Sequence, residues 1–160
     1  MIQEIERYLR AAGNNPYRVQ TSECPAAGTP VLAIRVDPNG NGANDDVRLQ
    51  MDTNPANGLI GGAPGNCVDA GEDVTIAFDA ANNTVILTDN NVGGASRVLS
   101  DAVVTGLQFV FRNSARAVTA TPGAIAFVET RVTVRSRSVD LNLGTPLTYT
   151  LASEVRMRSR

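Results

Sequence analysis

Apolar residues recur at helical spacing over the first thirteen positions. Ile2, Ile5, Leu9 and Ala12 form one stripe with Tyr8 beside it, while Glu4, Glu6, Arg7 and Arg10 occupy the other side. Gly13, followed by Asn14, Asn15 and Pro16, predicts the helix end. No Ser, Thr, Asp or Asn cap precedes the stripe, so the segment is expected to be the lower part of a longer helix. Beyond it the period changes to two. Val31 to Val36 is an apolar run opened by Thr29-Pro30, and Val47, Leu49 and Met51 alternate with Arg48 and Gln50. Val74, Ile76 and Phe78 alternate with Thr75 and Ala77, the turn Asp79 to Asn83 follows, and Val85 to Thr88 returns. Asp101 is placed to cap a short helical turn containing Val103, Val104 and Leu107, before Phe109-Val110-Phe111. Two long alternating segments close the chain, Phe127 to Arg137 and Tyr149 to Met157.

About seven strands result, antiparallel by their hairpins and by their one-sided polarity. With the first segment as the sole amphipathic helix, the expected class is α+β, a helix covering the apolar face of an antiparallel sheet. No repeat and no domain boundary interrupts the 160 residues, so a single domain over 1–160 is expected.

Composition narrows the chemistry. The chain has no histidine and no lysine. Ser-His and Cys-His nucleophiles, histidine-ligated zinc and Schiff-base lysines are thereby excluded. The net charge of −2, with arginines dispersed along the chain, gives no polyanion-binding field and argues against nucleic acid. Arg131, Arg135, Arg137, Arg156 and Arg158 are expected on a solvated strand face, with a docking surface for an acidic partner as the alternative. No small-molecule substrate is indicated. Asp69, Glu72 and Asp73 read as an acidic loop before a strand rather than an acid/base pair.

Cys24 and Cys67 both lie among turn residues. A disulfide between them, closing a loop of about forty residues, would contribute roughly 3–4 kcal/mol and imply an oxidising compartment. Two buried free thiols in a reducing compartment are the alternative. No run of eighteen apolar residues spans a membrane.

The most specific local pattern is Asp37-Pro38-Asn39-Gly40-Asn41-Gly42-Ala43-Asn44-Asp45-Asp46. Oxygen-bearing side chains fall at relative positions 1, 3, 5 and 9 with glycine at 6, as in an EF-hand loop. Asp37, Asn39, Asn41, Asp45 and the Ala43 carbonyl are candidate Ca²⁺ ligands. Arg48 stands where the bidentate Glu belongs, so the last acid must come from elsewhere, from Asp69, Glu72 or Asp73; Glu72 is taken as that ligand. The alternative is a bare hairpin loop whose Asn and Gly supply positive φ.

Several loose stretches together resemble the type IV pilin-like proteins, specifically PilW-like minor pilins and the type II secretion minor pseudopilins. They are the helix end Leu9-Arg10-Ala11-Ala12-Gly13, the Asp37 to Gly42 loop, the strand Asp73 to Phe78 with its turn to Thr84, Leu99 to Phe111, the strand Arg131 to Arg135, and the ending Thr150 to Arg158. The resemblance implies a pilin-like head whose N-terminal helix stub packs on the sheet. It also implies a non-enzymatic subunit that joins an inner-membrane complex priming or tipping a pilus or secretion filament. The implied partners are other minor pilins or pseudopilins, the major pilin, and the membrane through a preceding hydrophobic helix. The implied location is the bacterial inner membrane with the head in the periplasm, or the extracellular pilus. Ile2, Ile5, Leu9 and Ala12 would then serve packing and assembly. Some relatives bind Ca²⁺ in head loops. The competing reading is an extracellular calcium-stabilised binding or adhesion module; a carboxylate-only metal hydrolase ranks last.

Overall fold

A computed structural model describes residues 1–24, 28–54, 57–63, 66–140 and 142–157. The helical stripe forms α1, Ile2–Ala11, with Glu4 in its first turn and Arg10 in its last, both favourable to the helix dipole. Gly13 ends it in the left-handed region at φ 78°, and the chain turns so that the Gly13 N–H donates to the Gln50 carbonyl at 2.9 Å. Ile5, Leu9 and Ala12 are fully buried, and Ile2 and Tyr8 are partly buried against the same core.

The remainder is strand. A two-stranded ribbon pairs β1 (Thr21–Ser22) with β2 (Thr29–Pro30). A five-stranded antiparallel meander runs through β3 (Ile34–Val36), β4 (Asp46–Gln50), β5 (Asp73–Asp79), β6 (Thr84–Asp89) and β7 (Ala95–Val98). A three-stranded antiparallel meander follows, β8 (Val104–Arg112), β9 (Phe127–Val139) and β10 (Pro146–Arg156), with a single 3-10 turn at Pro122–Ala124 before β9.

The expected α+β, pilin-like class is not what forms. The chain is mostly β-sheet, with one short helix and sheets of two, five and three strands. The physical reason lies in what covers the apolar faces. β8 lies against β4, β5 and β6, so the two larger sheets bury each other. Val47, Leu49, Val74, Ile76, Val85 and Leu87 on one sheet meet Val104, Leu107, Phe109, Phe111, Val128 and Val132 on the other in a single core. A ten-residue helix, about 15 Å long, cannot cover a five-stranded sheet. It closes one flank instead. Glu4 reaches Arg97 on edge strand β7, and Glu6 accepts from Ser153 on edge strand β10, so α1 ties the free edges of both sheets together.

Candidate functional site

Loop 37–45 joins β3 to β4 and is wound by its own side chains. Asp37 Oδ1 and Asn39 Oδ1 both accept from the Asn41 N–H, at 3.1 and 2.9 Å. Asp37 Oδ2 accepts from the Gly42 N–H at 2.9 Å, and Asn41 Oδ1 from the Ala43 N–H at 2.7 Å. Gly42, at φ 81°, provides the backbone reversal on which this winding depends. The Asn41 Nδ2 donates to Asp45 Oδ1 at 3.4 Å. Five of the six expected ligand positions are therefore gathered in one turn. The loop also reaches the opposite sheet, because the Asn44 carbonyl accepts from the Phe109 N–H on β8 at 2.7 Å.

Glu72 lies elsewhere. Asp46 pairs with Ala77 across β4 and β5, whereas the Met51 N–H donates to the Glu72 carbonyl at the other end of the same pair. Five strand residues separate the two ends, about 16 Å. Glu72 is fully buried, and its carboxylate accepts from the backbone N–H groups of Thr53, Asn54 and Gly61 at 2.8–2.9 Å. It organises the 53–61 segment. Asp73 is occupied too, gripped bidentately by Arg48 at 2.6 and 2.7 Å and bonded by Gln50 and Asn90. That pairing raises the Arg48 pKa and explains why an arginine follows the loop. Asp69, the third candidate, accepts from Asn57 at 2.6 Å. Among the described residues no three Cys, Asp or Glu side chains come together to hold a metal ion.

Asp46 is the acid that sequence reasoning passed over. It is 1% exposed; its Oδ2 accepts from the Asn39 N–H at 3.1 Å and its Oδ1 has no partner. Burial raises its pKa, reinforced by the neighbouring carboxylates of Asp37 and Asp45. The only hint in the chain is the Asp45-Asp46 doublet, which places one carboxylate outward and one inward at a strand start.

Asp52 is a second buried acid, with both carboxylate oxygens unpartnered. Burial, then the nearby Glu72 and Asp69 carboxylates, raise its pKa. A raised folded-state carboxyl holds a proton that the unfolded chain has already lost near pH 4. Its contribution is therefore greatest below that value, and stability falls as pH rises through the window up to the folded pKa. Asp52→Asn is expected to stabilise the protein by about 1–3 kcal/mol at pH 8 and to change little at pH 3.5, read from urea unfolding at both values.

Cys24 and Cys67 form the disulfide, with Cα atoms 5.6 Å apart. Ala12, Leu9 and Ile5 are core residues and Ile2 lies at its margin, so the expected assembly stripe faces inward. Of the arginine set, Arg131 bonds Glu129 at 2.7 Å and Arg137 lies 3.3 Å from Asp101, while Arg135 and Arg156 are in none of the ion pairs among the described residues. Arg158 lies outside the described residues.

An exposed apolar surface was not foreseen. Val155, Leu151 and Tyr149 on β10 stand opposite Val128, Val132 and Val134 on β9 and share their side of the sheet. Val155 is buried, yet Leu151 is 50% and Tyr149 54% exposed. The core face of the three-stranded sheet thus runs on past the cover that α1 provides. Among the described residues no helix is long and apolar enough to cross a membrane. Comparison with family models, with curated proteins and with solved structures finds no match.

Proposed function

We propose that this chain is a non-enzymatic structural subunit, of the minor pilin or pseudopilin kind, that joins an envelope complex priming or tipping a filament. The sequence stretches quoted above suggest the kind of assembly. The observation that carries an assembly role is the uncovered core-side face of β10, where Leu151 and Tyr149 continue a buried surface into solvent. Large apolar side chains continuing a core face mark a surface that another chain covers. In this reading the occupant is a neighbouring filament subunit.

Two further features support it. The absence of histidine and lysine leaves few groups for catalysis at neutral pH, and the Cys24–Cys67 disulfide suits an oxidising envelope compartment. A photo-crosslinking side chain installed at Leu151 in living cells is expected to yield adducts with other subunits of the filament. The calcium-stabilised binding module remains the second reading, favoured by loop 37–45.

A further inference from the structure

Buried carboxylate oxygens rarely stand without a partner, because each costs about 1–3 kcal/mol or more when unsatisfied. Asp46 Oδ1 is such an atom. Its sister oxygen accepts from the Asn39 N–H at 3.1 Å, which ties the carboxylate to the Asp37 turn. The turn itself presents Asp37 Oδ1 and Oδ2, Asn39 Oδ1 and Asn41 Oδ1, each accepting a backbone N–H and each with lone-pair capacity left. No ion pair among the described residues involves Asp37, Asp45 or Asp46; of the two arginines that flank the loop in sequence, Arg48 is committed to Asp73, and Arg35 on β3 makes no ion pair with the turn. The orphaned buried oxygen of Asp46 therefore lies beside the oxygen-rich Asp37 turn, with no protein cation paired to it.

We propose that this turn binds a calcium ion, with Asp46 supplying the carboxylate that an EF-hand loop takes from its twelfth position, and Asp37, Asn39 and Asn41 supplying side-chain oxygens. The assignment moves the closing acid from Glu72, at the far end of β4 and β5, to a residue already held against the loop. Calcium fits better than magnesium because it accepts six to eight oxygens, amide and backbone carbonyls included, in a flexible shell. The amide-rich ligand set lowers the site's charge and places it among weak, extracellular-type sites, with Kd roughly 10⁻⁴–10⁻³ M.

Ion binding here has a structural consequence. The Asn44 carbonyl accepts from Phe109 on β8 and the Asp45 carbonyl from Phe78 on β5, at 2.7 and 3.1 Å. Ordering the turn therefore clamps the two large sheets at one end of the core. This proposal is independent of the filament reading.

The test is calorimetric and thermal titration of chelator-stripped protein with CaCl₂ and, at matched ionic strength, with MgCl₂. Wild type is expected to bind calcium with a Kd in that millimolar to submillimolar range and to melt several degrees higher at about 10 mM calcium. Asp46→Asn, checked for folding by its own melt, is expected to bind at least about tenfold more weakly. Asp37→Asn gives the same readout if the first variant does not fold. No calcium response in wild type, an equal response to magnesium, or unchanged affinity in a folded Asp46→Asn variant would each overturn the assignment.

Discussion

Replacing Cys24 and Cys67 with serine is expected to lower stability by roughly 4 kcal/mol. The disulfide joins residues 43 positions apart. A loop of that length removes close to 4 kcal/mol of chain entropy from the unfolded state in the loop-closure account. Its native surroundings add to the effect. Cys24 is fully buried; its N–H donates to Ser22 Oγ at 2.9 Å, and that hydroxyl donates to the Ile60 carbonyl at 2.7 Å. Gly61 approaches so closely that a Cβ there would stand 2.7 Å from the Cys24 Cβ. The described part of segment 57–71 contains no named strand, so its position depends on this cross-link and on the Glu72 carboxylate. Thermal melts of the double serine variant, or of wild type under reductant, are expected to fall by about 8–16 °C. A change below about 1 kcal/mol would show that the noncovalent contacts, the Glu72 and Ser22 hydrogen bonds among them, suffice to hold the segment.

Ile5→Asp is expected to destabilise the fold more than any charge removal on the same helix. Ile5 is fully buried among residues of both sheets, and an aspartate there leaves an unpaired charge in the core, at a cost of about 3–5 kcal/mol. Leu9→Ala removes the neighbouring plug and is expected to cost about 2–5 kcal/mol, according to how far the two sheets close over the cavity. Glu4→Ala supplies the contrast. The Arg97 hydrogen bond holds the Glu4 carboxyl below its usual range, yet Arg97 is half exposed, so the pair contributes less than about 1 kcal/mol. Urea unfolding of the three variants is expected to rank them Ile5→Asp, Leu9→Ala, Glu4→Ala. Equal and small losses would mean that α1 is dispensable to the core.

The helix and most strands were legible because periodicity reports burial directly. Ile5, Leu9 and Ala12, then Val47 with Leu49, and Val74 with Ile76, fall where their spacing puts them. Other elements were not: the ribbon of β1 and β2 has strands of two residues, too short to show any period. β7, Ala95–Val98, is exposed at all four positions, so no alternation marks it; it exists because β6 offers it a partner. The Val103 to Leu107 stretch mimics a capped helical turn, since Val104 and Leu107 are three apart. The register shift between Val104 and Gly106 is what puts both residues on one face of a strand.

What covers a face is harder to read than which face is covered. Alternation in β8 and β9 shows that one side is buried, not that another sheet buries it. The sequence therefore offers the helix as the cover that the two sheets in fact provide for each other. The acids show the same limit. Glu72 and Asp73 precede a strand and read as solvated, but their partners come from residues up to 25 positions away, which no local pattern encodes. The loop ligands were visible as a spacing; Asp46 was not, because its burial is a property of the sheet it starts.

The filament-subunit reading requires that another chain cover the core-side face of β10. The direct measurement is crosslinking yield in intact cells from a photoreactive side chain at Leu151, against the same probe at Val118. Val118 is 72% exposed and bridges to Arg112 on β8, at the opposite edge of the three-stranded sheet. The filament-subunit reading predicts adducts with other envelope subunits from Leu151 and few or none from Val118. An absence of adducts at Leu151, or equal yields at both positions, would contradict it.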